Sequence, residues 1–325
     1  SNATFSDIRI ENLPRNSNYL NTVYLLHKNS HFNWKLNEQS GLTKLSSSGS
    51  SGEYTLSSNL EAPEYYNAGH TVTKLDNNKV LVVGGSTTDC YLADPVDGIF
   101  SKAGSLSTTR SWHAATLLKD GYVLITGGES DGAFGDGAHV SATATAELYD
   151  PTSGTFTAVS NMANARSRHT ATLITSGSYD GYVLVAGGLS SSADDKVCEL
   201  YNPTTKSFIG AGSMKAARSS HSATTVNGKI LLAGGVYGST TLSSTEIFDF
   251  STGAFVSGST PSLSGARANH TATLLSDNTV LFVGGEAIVS GQLTNVSSVE
   301  SCDSSLTALT AVRIQVAIYF LCQDL

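Results

Sequence analysis

One phrase recurs five times along this chain: a histidine, a short run rich in Thr and Ala, then aliphatic residues ending in Gly-Gly. The glycine pairs fall at 84–85, 127–128, 187–188, 234–235 and 284–285, so the interval runs from 43 to 60 residues. A period of that size means that each repeat is one supersecondary unit that cannot bury its own apolar face and must stack on its neighbours. Four copies open on Arg-x-x-His: Arg110-Ser-Trp-His113, Arg166-Ser-Arg-His169, Arg218-Ser-Ser-His221 and Arg267-Ala-Asn-His270. The other copy opens Asn67-Ala-Gly-His70.

Each copy continues in the same way. After a variable loop comes a segment such as AELYDP (146–151), CELYNP (198–203) or TEIFDF (245–250), then a turn and a segment carrying Phe100, Phe156, Phe208 or Phe255. Asp-Gly, Asn-Gly and Asp-Pro…Gly mark the turns, giving four short strands per repeat. VLITGG and VLVAGG are apolar on both faces, which suits strands sandwiched between neighbouring blades. Charged residues make up only 14% of the chain and glycine 31 of 325, as expected of short strands and turns. The pattern predicts an all-β chain, a β-propeller of four-stranded blades.

The His…Gly-Gly…Tyr-Asp…Phe order resembles the kelch repeat, in particular the bacterial form RxxHTATLL…VLVAGG…ELYDP…GTF. The resemblance covers 67 to about 303, with repeats at 67–109, 110–165, 166–217, 218–266 and 267–312. It departs at Asn67, which replaces the arginine, and at Cys302-Asp303, which replaces Tyr-Asp. A sixth blade is expected as a composite of 20–60 and 313–321, because Arg313-IQVAIYFL aligns with Arg267-ANHTATLL. Strands from both termini would then close the ring and remove its free edges. Seven blades is the alternative count. Ser1-Asn2-Ala3 has the form of a tag remnant, so 4–325 is read as a single propeller. The resemblance extends in fold to the central domain of galactose oxidase.

Residues present in every repeat are expected to be structural. Arg110, Arg166, Arg218 and Arg267 each share a repeat with a glutamate: Glu147, Glu199, Glu246 and Glu300. The copy at Asn67 lacks both charges, with Tyr91 at the glutamate position. Charges that come and go together predict an Arg–Glu pair inside each blade, since an unpaired buried charge is costly. The resemblance implies a second role, because arginines in similar positions of eukaryotic kelch adaptors face the central opening and grip acidic peptides. The glycine pairs read as strand ends rather than phosphate loops, lacking a following helix and lysine. His70, His113, His169, His221 and His270 lie in different repeats and read as hydrogen-bonded core histidines, with no metal site expected.

Function should reside in what differs between blades, the loops after Gly-Gly. The candidate ligand-binding residues are Glu129, Asp131, Phe134, Asp136 and His139 in the loop 129–145, Tyr237 and Glu286 in later loops, and the four repeat arginines. No catalytic residue, cofactor or metal is assigned: nucleophile-elbow, Cys-x-x-Cys and His-Glu-x-x-His motifs are absent. The net charge of −8 opposes binding to nucleic acid or an anionic membrane surface, and no apolar run reaches the length of a span. The reading is a monomeric binding module for a protein or acidic peptide. The alternative is a carbohydrate-binding or carbohydrate-acting propeller of the bacterial envelope. A secreted or envelope location is favoured over a cytoplasmic one. Cys90 and Cys198 are expected to be buried free thiols, while the pairing of Cys302 with Cys322 stays open.

Overall fold

A computed structural model describes residues 69–85, 87–96, 100–130, 142–190 and 196–312 in full, and the backbone of 22–27, 30–37, 41–47 and 54–59. Every named element among them is a β-strand. The chain divides into two compact units, Ser1–Glu64 and Tyr65–Leu325.

Among its described residues the first unit contains one four-stranded antiparallel sheet, with Thr22–His27, Ser30–Asn37, Gly41–Ser47 and Tyr54–Asn59 paired in chain order. The segment 313–321, expected to share a composite blade, lies outside the described residues.

Among its described residues the second unit contains five four-stranded sheets, numbered here as blades 1 to 5. Blade 1 pairs Thr71–Lys74, Val80–Val83, Thr87–Ala93 and Phe100–Arg110. Blade 2 pairs Ala114–Leu117, Val123–Thr126, Ala146–Asp150 and Thr155–Ala158. Blade 3 pairs Thr170–Leu173, Val183–Ala186, Val197–Asn202 and Ser207–Ser213. Blade 4 uses Ser222–Val226, Lys229–Ala233, Thr245–Asp249 and Ala254–Phe255. Blade 5 uses Thr271–Leu274, Val280–Val283, Val299–Cys302 and Leu309–Val312. Blades 4 and 5 each carry an extra hairpin in the loop after Gly-Gly. These are Val236–Tyr237 with Thr240–Thr241, and Glu286–Val289 with Gln292–Asn295.

The doubly apolar second strands explain the stacking. Along Val123–Thr126, Val123 and Ile125 join Leu81, Val83 and Cys90 of blade 1 in one cluster. Leu124, pointing the other way, packs with Val183 and Tyr201 of blade 3. Period-2 alternation thus sends neighbouring residues of one strand into two different cores. In blades 2 to 4 the Tyr or Phe of the third strand also meets the aromatic of the fourth, as at Tyr149–Phe156, where ring centroids lie 4.9 Å apart. Cys90, Cys198 and Cys302 are buried and form no disulfide among the described residues, whereas Cys322 lies outside them.

The glycine pairs stitch one blade to the next. Gly187 has φ +66°, and a Cβ there would sit 2.3 Å from the Arg218 carbonyl oxygen of the following blade. Only glycine fits. Gly187→Ala is expected to lower stability by about 2 kcal/mol or more, from left-handed strain plus the forced backbone shift. A urea midpoint equal to that of the unaltered protein would contradict this.

Candidate functional site

The site grows from the Arg-x-x-His turn that enters each blade. Its arginine is fully buried in blades 2 to 5. The guanidinium reaches the glutamate of the same blade: Arg110–Glu147 at 2.8 Å, Arg166–Glu199 at 2.8 Å, Arg218–Glu246 at 3.3 Å and Arg267–Glu300 at 2.6 Å. Nη1 also donates to the carbonyl of the first glycine of the pair, as from Arg166 to Gly187 at 2.7 Å. The arginine carbonyl accepts from the second glycine of the preceding blade, as from Gly128 N–H to Arg166 at 2.9 Å.

The glutamate has a second task. Glu199 accepts from Ala163 N–H at 2.8 Å, Glu246 from Ala216 N–H at 2.9 Å, and Glu300 from Ser264 N–H at 2.7 Å. These donors lie on the segments crossing from one blade to the next, so each ion pair satisfies backbone groups on both sides of a junction. Burial pulls the Arg110 and Arg218 guanidinia below their usual pKa, opposed by Glu147 and Glu246. Because no surface of the four guanidinia is exposed, the ligand-gripping role implied for them by the resemblance has no surface to act through.

The histidines are junction residues as well. Nε2 of His113, His169, His221 and His270 meets a hydroxyl of the preceding blade: Thr71 at 2.7 Å, Thr126 at 2.8 Å, Thr170 at 2.9 Å and Ser222 at 2.8 Å. Burial first, and the neighbouring arginine second, lowers their pKa, to about 3 for His113 and His221 and about 4 for His270.

One position in the turn behaves differently. The third residue, Trp112, Arg168, Ser220 or Asn269, adopts φ between 52° and 55°. Gly69 occupies the same place in the first copy, at φ +91°. Their backbones are linked blade to blade: Trp112 N–H donates to Gly69 O at 2.7 Å, Arg168 to Trp112 at 2.8 Å, Ser220 to Arg168 at 2.9 Å and Asn269 to Ser220 at 3.0 Å. Five blades thus present one position each, side by side, partly exposed in the first four and exposed at Asn269. The side chains differ completely. The indole occupies the space that Gly69 leaves open, for a Cβ on Gly69 would lie 3.0 Å from ring atoms Cγ and Cδ2 of Trp112. Arg168 lies over that ring, with Cζ 4.8 Å from its centroid, and its Nε donates to Glu129 Oε1 at 3.3 Å.

The expected loop residues fall around this row. Glu129 is buried and turned inward, its Oε1 also accepting from Ser167 Oγ at 3.0 Å. Glu286 accepts weakly from Asn269 Nδ2 at 3.4 Å. In blades 2 to 5 the residue after the glycine pair lies beside the turn through short bridges such as Ser111↔Glu129 and Ala268↔Glu286. The two loop hairpins are joined where Ile288 N–H donates to Thr241 Oγ1 at 2.8 Å. Tyr237, Val289 and Leu293 stand exposed on these hairpins. Asp131, Phe134, Asp136 and His139 lie outside the described residues. Among the described residues, no His, Cys, Asp or Glu group of three or more is arranged to hold a metal ion. No helix among them is long and apolar enough to cross a membrane.

Trp112, Arg168, Ser220 and Asn269 were not singled out from the sequence. A signal was present: the third position of the turn holds a different residue in every copy, while its neighbours scarcely change.

Stacked four-stranded blades built on one repeated sequence pattern define a repeat protein of the β-propeller class. Residues 69–285 match the family model for the KLHDC2/KLHL20/DRC7 Kelch-repeats domain, and the chain belongs to the kelch-repeat family. A solved structure titled "Structure of YjhT" superposes with a TM-score of 0.63 at 13% identity, over 90% of this chain and 97% of that one, which shows a shared fold. A search of curated proteins returned no match.

Proposed function

We propose that this propeller recognises a partner protein through the face carrying the third-position row and the two loop hairpins. Arg168 receives a carboxylate of an otherwise uncharged peptide segment. Kelch propellers generally serve as protein-interaction modules. The observation that carries the finer reading is Arg168 itself: its Nε is engaged by Glu129, and among the described residues nothing accepts from Nη1 or Nη2. A guanidinium held that way is prepared for a bidentate carboxylate. Glu129, Glu286 and the net charge of −8 oppose a polyanion, so the ligand carries one acidic group here rather than a run of them.

A carbohydrate ligand has less support. The indole of Trp112 would be the natural stacking surface, but the Arg168 guanidinium already covers it.

The test is binding of a capped pentapeptide with one central glutamate among glycine and serine, followed by calorimetry or NMR shifts. The expected result is saturable binding that weakens with added salt and disappears in Arg168→Gln. Undiminished binding by that variant would overturn the proposal.

A further inference from the structure

We infer that the third position of the Arg-x-x-His turn is where this protein's ligand specificity is written, and that Trp112 is a positioning residue for Arg168. This rests on the peptide-binding reading and extends it from one arginine to a row of interchangeable positions.

Three observations support the assignment. The backbone at this position is fixed independently of the side chain: residues as unlike as Trp112, Arg168, Ser220 and Asn269 share one left-handed conformation and one blade-to-blade hydrogen bond. The flanking residues are not free to vary in this way, because the arginine and histidine on either side are tied into blade junctions. Finally, side chains along the row lean on one another. Gly69 leaves room for the indole, the indole carries the guanidinium, and Glu129 fixes its Nε.

The consequence is a division of labour. Glu129 and Trp112 set where the single cation of the row sits, while Ser220 and Asn269 present neutral polar groups beyond it. A row holding one cation selects one carboxylate. Rewriting a neutral position should then rewrite the selection at little cost to the fold. Ser220 is the suitable place, since its N–H bonds to the Arg168 carbonyl and Arg168 already shows that this backbone accepts arginine.

The experiment compares capped pentapeptides carrying one or two glutamates, titrated by calorimetry into the full chain and its variants. The unaltered protein should show no preference for the second glutamate. Ser220→Arg should prefer the two-glutamate peptide by about fivefold to tenfold, as expected for one added charge-assisted contact. Trp112→Leu should weaken one-glutamate binding about fivefold, and Trp112→Phe should restore most of it, because a phenyl ring still carries the cation. Preference unchanged by Ser220→Arg, or binding unchanged by Trp112→Leu, would overturn the assignment. If Arg168→Gln still abolished binding in that case, the peptide reading itself would stand.

Discussion

Arg166→Met is expected to lower the unfolding free energy by about 3–5 kcal/mol, because Glu199 would remain buried without its cation. Glu199 sits almost wholly out of solvent between blades 2 and 3, with Arg166 Nη2 at 2.8 Å and the crossing-segment N–H of Ala163 at 2.8 Å. Removing the guanidinium also strips donors from the carbonyls of Gly187 and Val197. Arg166→Met combined with Glu199→Leu should recover only part of the loss. Buried ion pairs can often be exchanged for apolar residues at no cost, but here both partners also satisfy backbone groups. Urea unfolding of the single and double variants measures this directly. A double variant as stable as the unaltered protein would mean that the backbone contacts count for little.

The second large effect is with pH. His113, His169, His221 and His270 are held neutral by burial, with pKa values far below the 6.5 of an exposed histidine. A histidine depressed in the folded state takes up its proton first in the unfolded chain. The stability it supports is therefore complete above about pH 6.5 and drains away as pH falls toward 3–4. Each contributes up to about 1.4 kcal/mol per pH unit in that window, and four act together against a total margin of about 5–15 kcal/mol. The melting temperature should fall by on the order of 10 °C between pH 7 and pH 5. His221→Gln should flatten that slope. Asp249 does not account for such a loss, since its hydrogen bond from Lys229 holds it at about 2, so its share is lost only below about pH 4. A melting temperature constant from pH 7 to pH 5 would show that these histidines are not buried neutral at the junctions.

The sequence made the fold legible because a propeller repeats its physics. The same strand pattern had to be written five times, and Leu124 and Ile125 had to be apolar in both directions to serve two cores. The Arg–Glu arrangement was legible because Asn67 and Tyr91 break it together. The site was not, for two reasons. Glu129, in a long carboxylate-rich loop, looked like an outward ligand group, whereas Ser167 and Arg168 draw its carboxylate inward across a blade junction. Trp112 and Arg168 are adjacent only after two blades stack, 56 residues apart in the chain, so no local motif announces their contact.

Low charge and abundant glycine thus serve one design, in which the repeated Arg–Glu charges fasten blades together and Arg168, which no other copy shares, keeps part of its surface exposed. Arg166 and Arg168 lie two residues apart on opposite sides of that division. Their glutamine variants, compared in one urea-unfolding measurement, test it most directly. Arg166→Gln should shift the midpoint strongly downward, whereas Arg168→Gln, losing one 3.3 Å contact from a partly exposed guanidinium while Ser167 Oγ still donates to Glu129, should shift it clearly less. Equal losses from the two, or the larger loss from Arg168, would contradict the division.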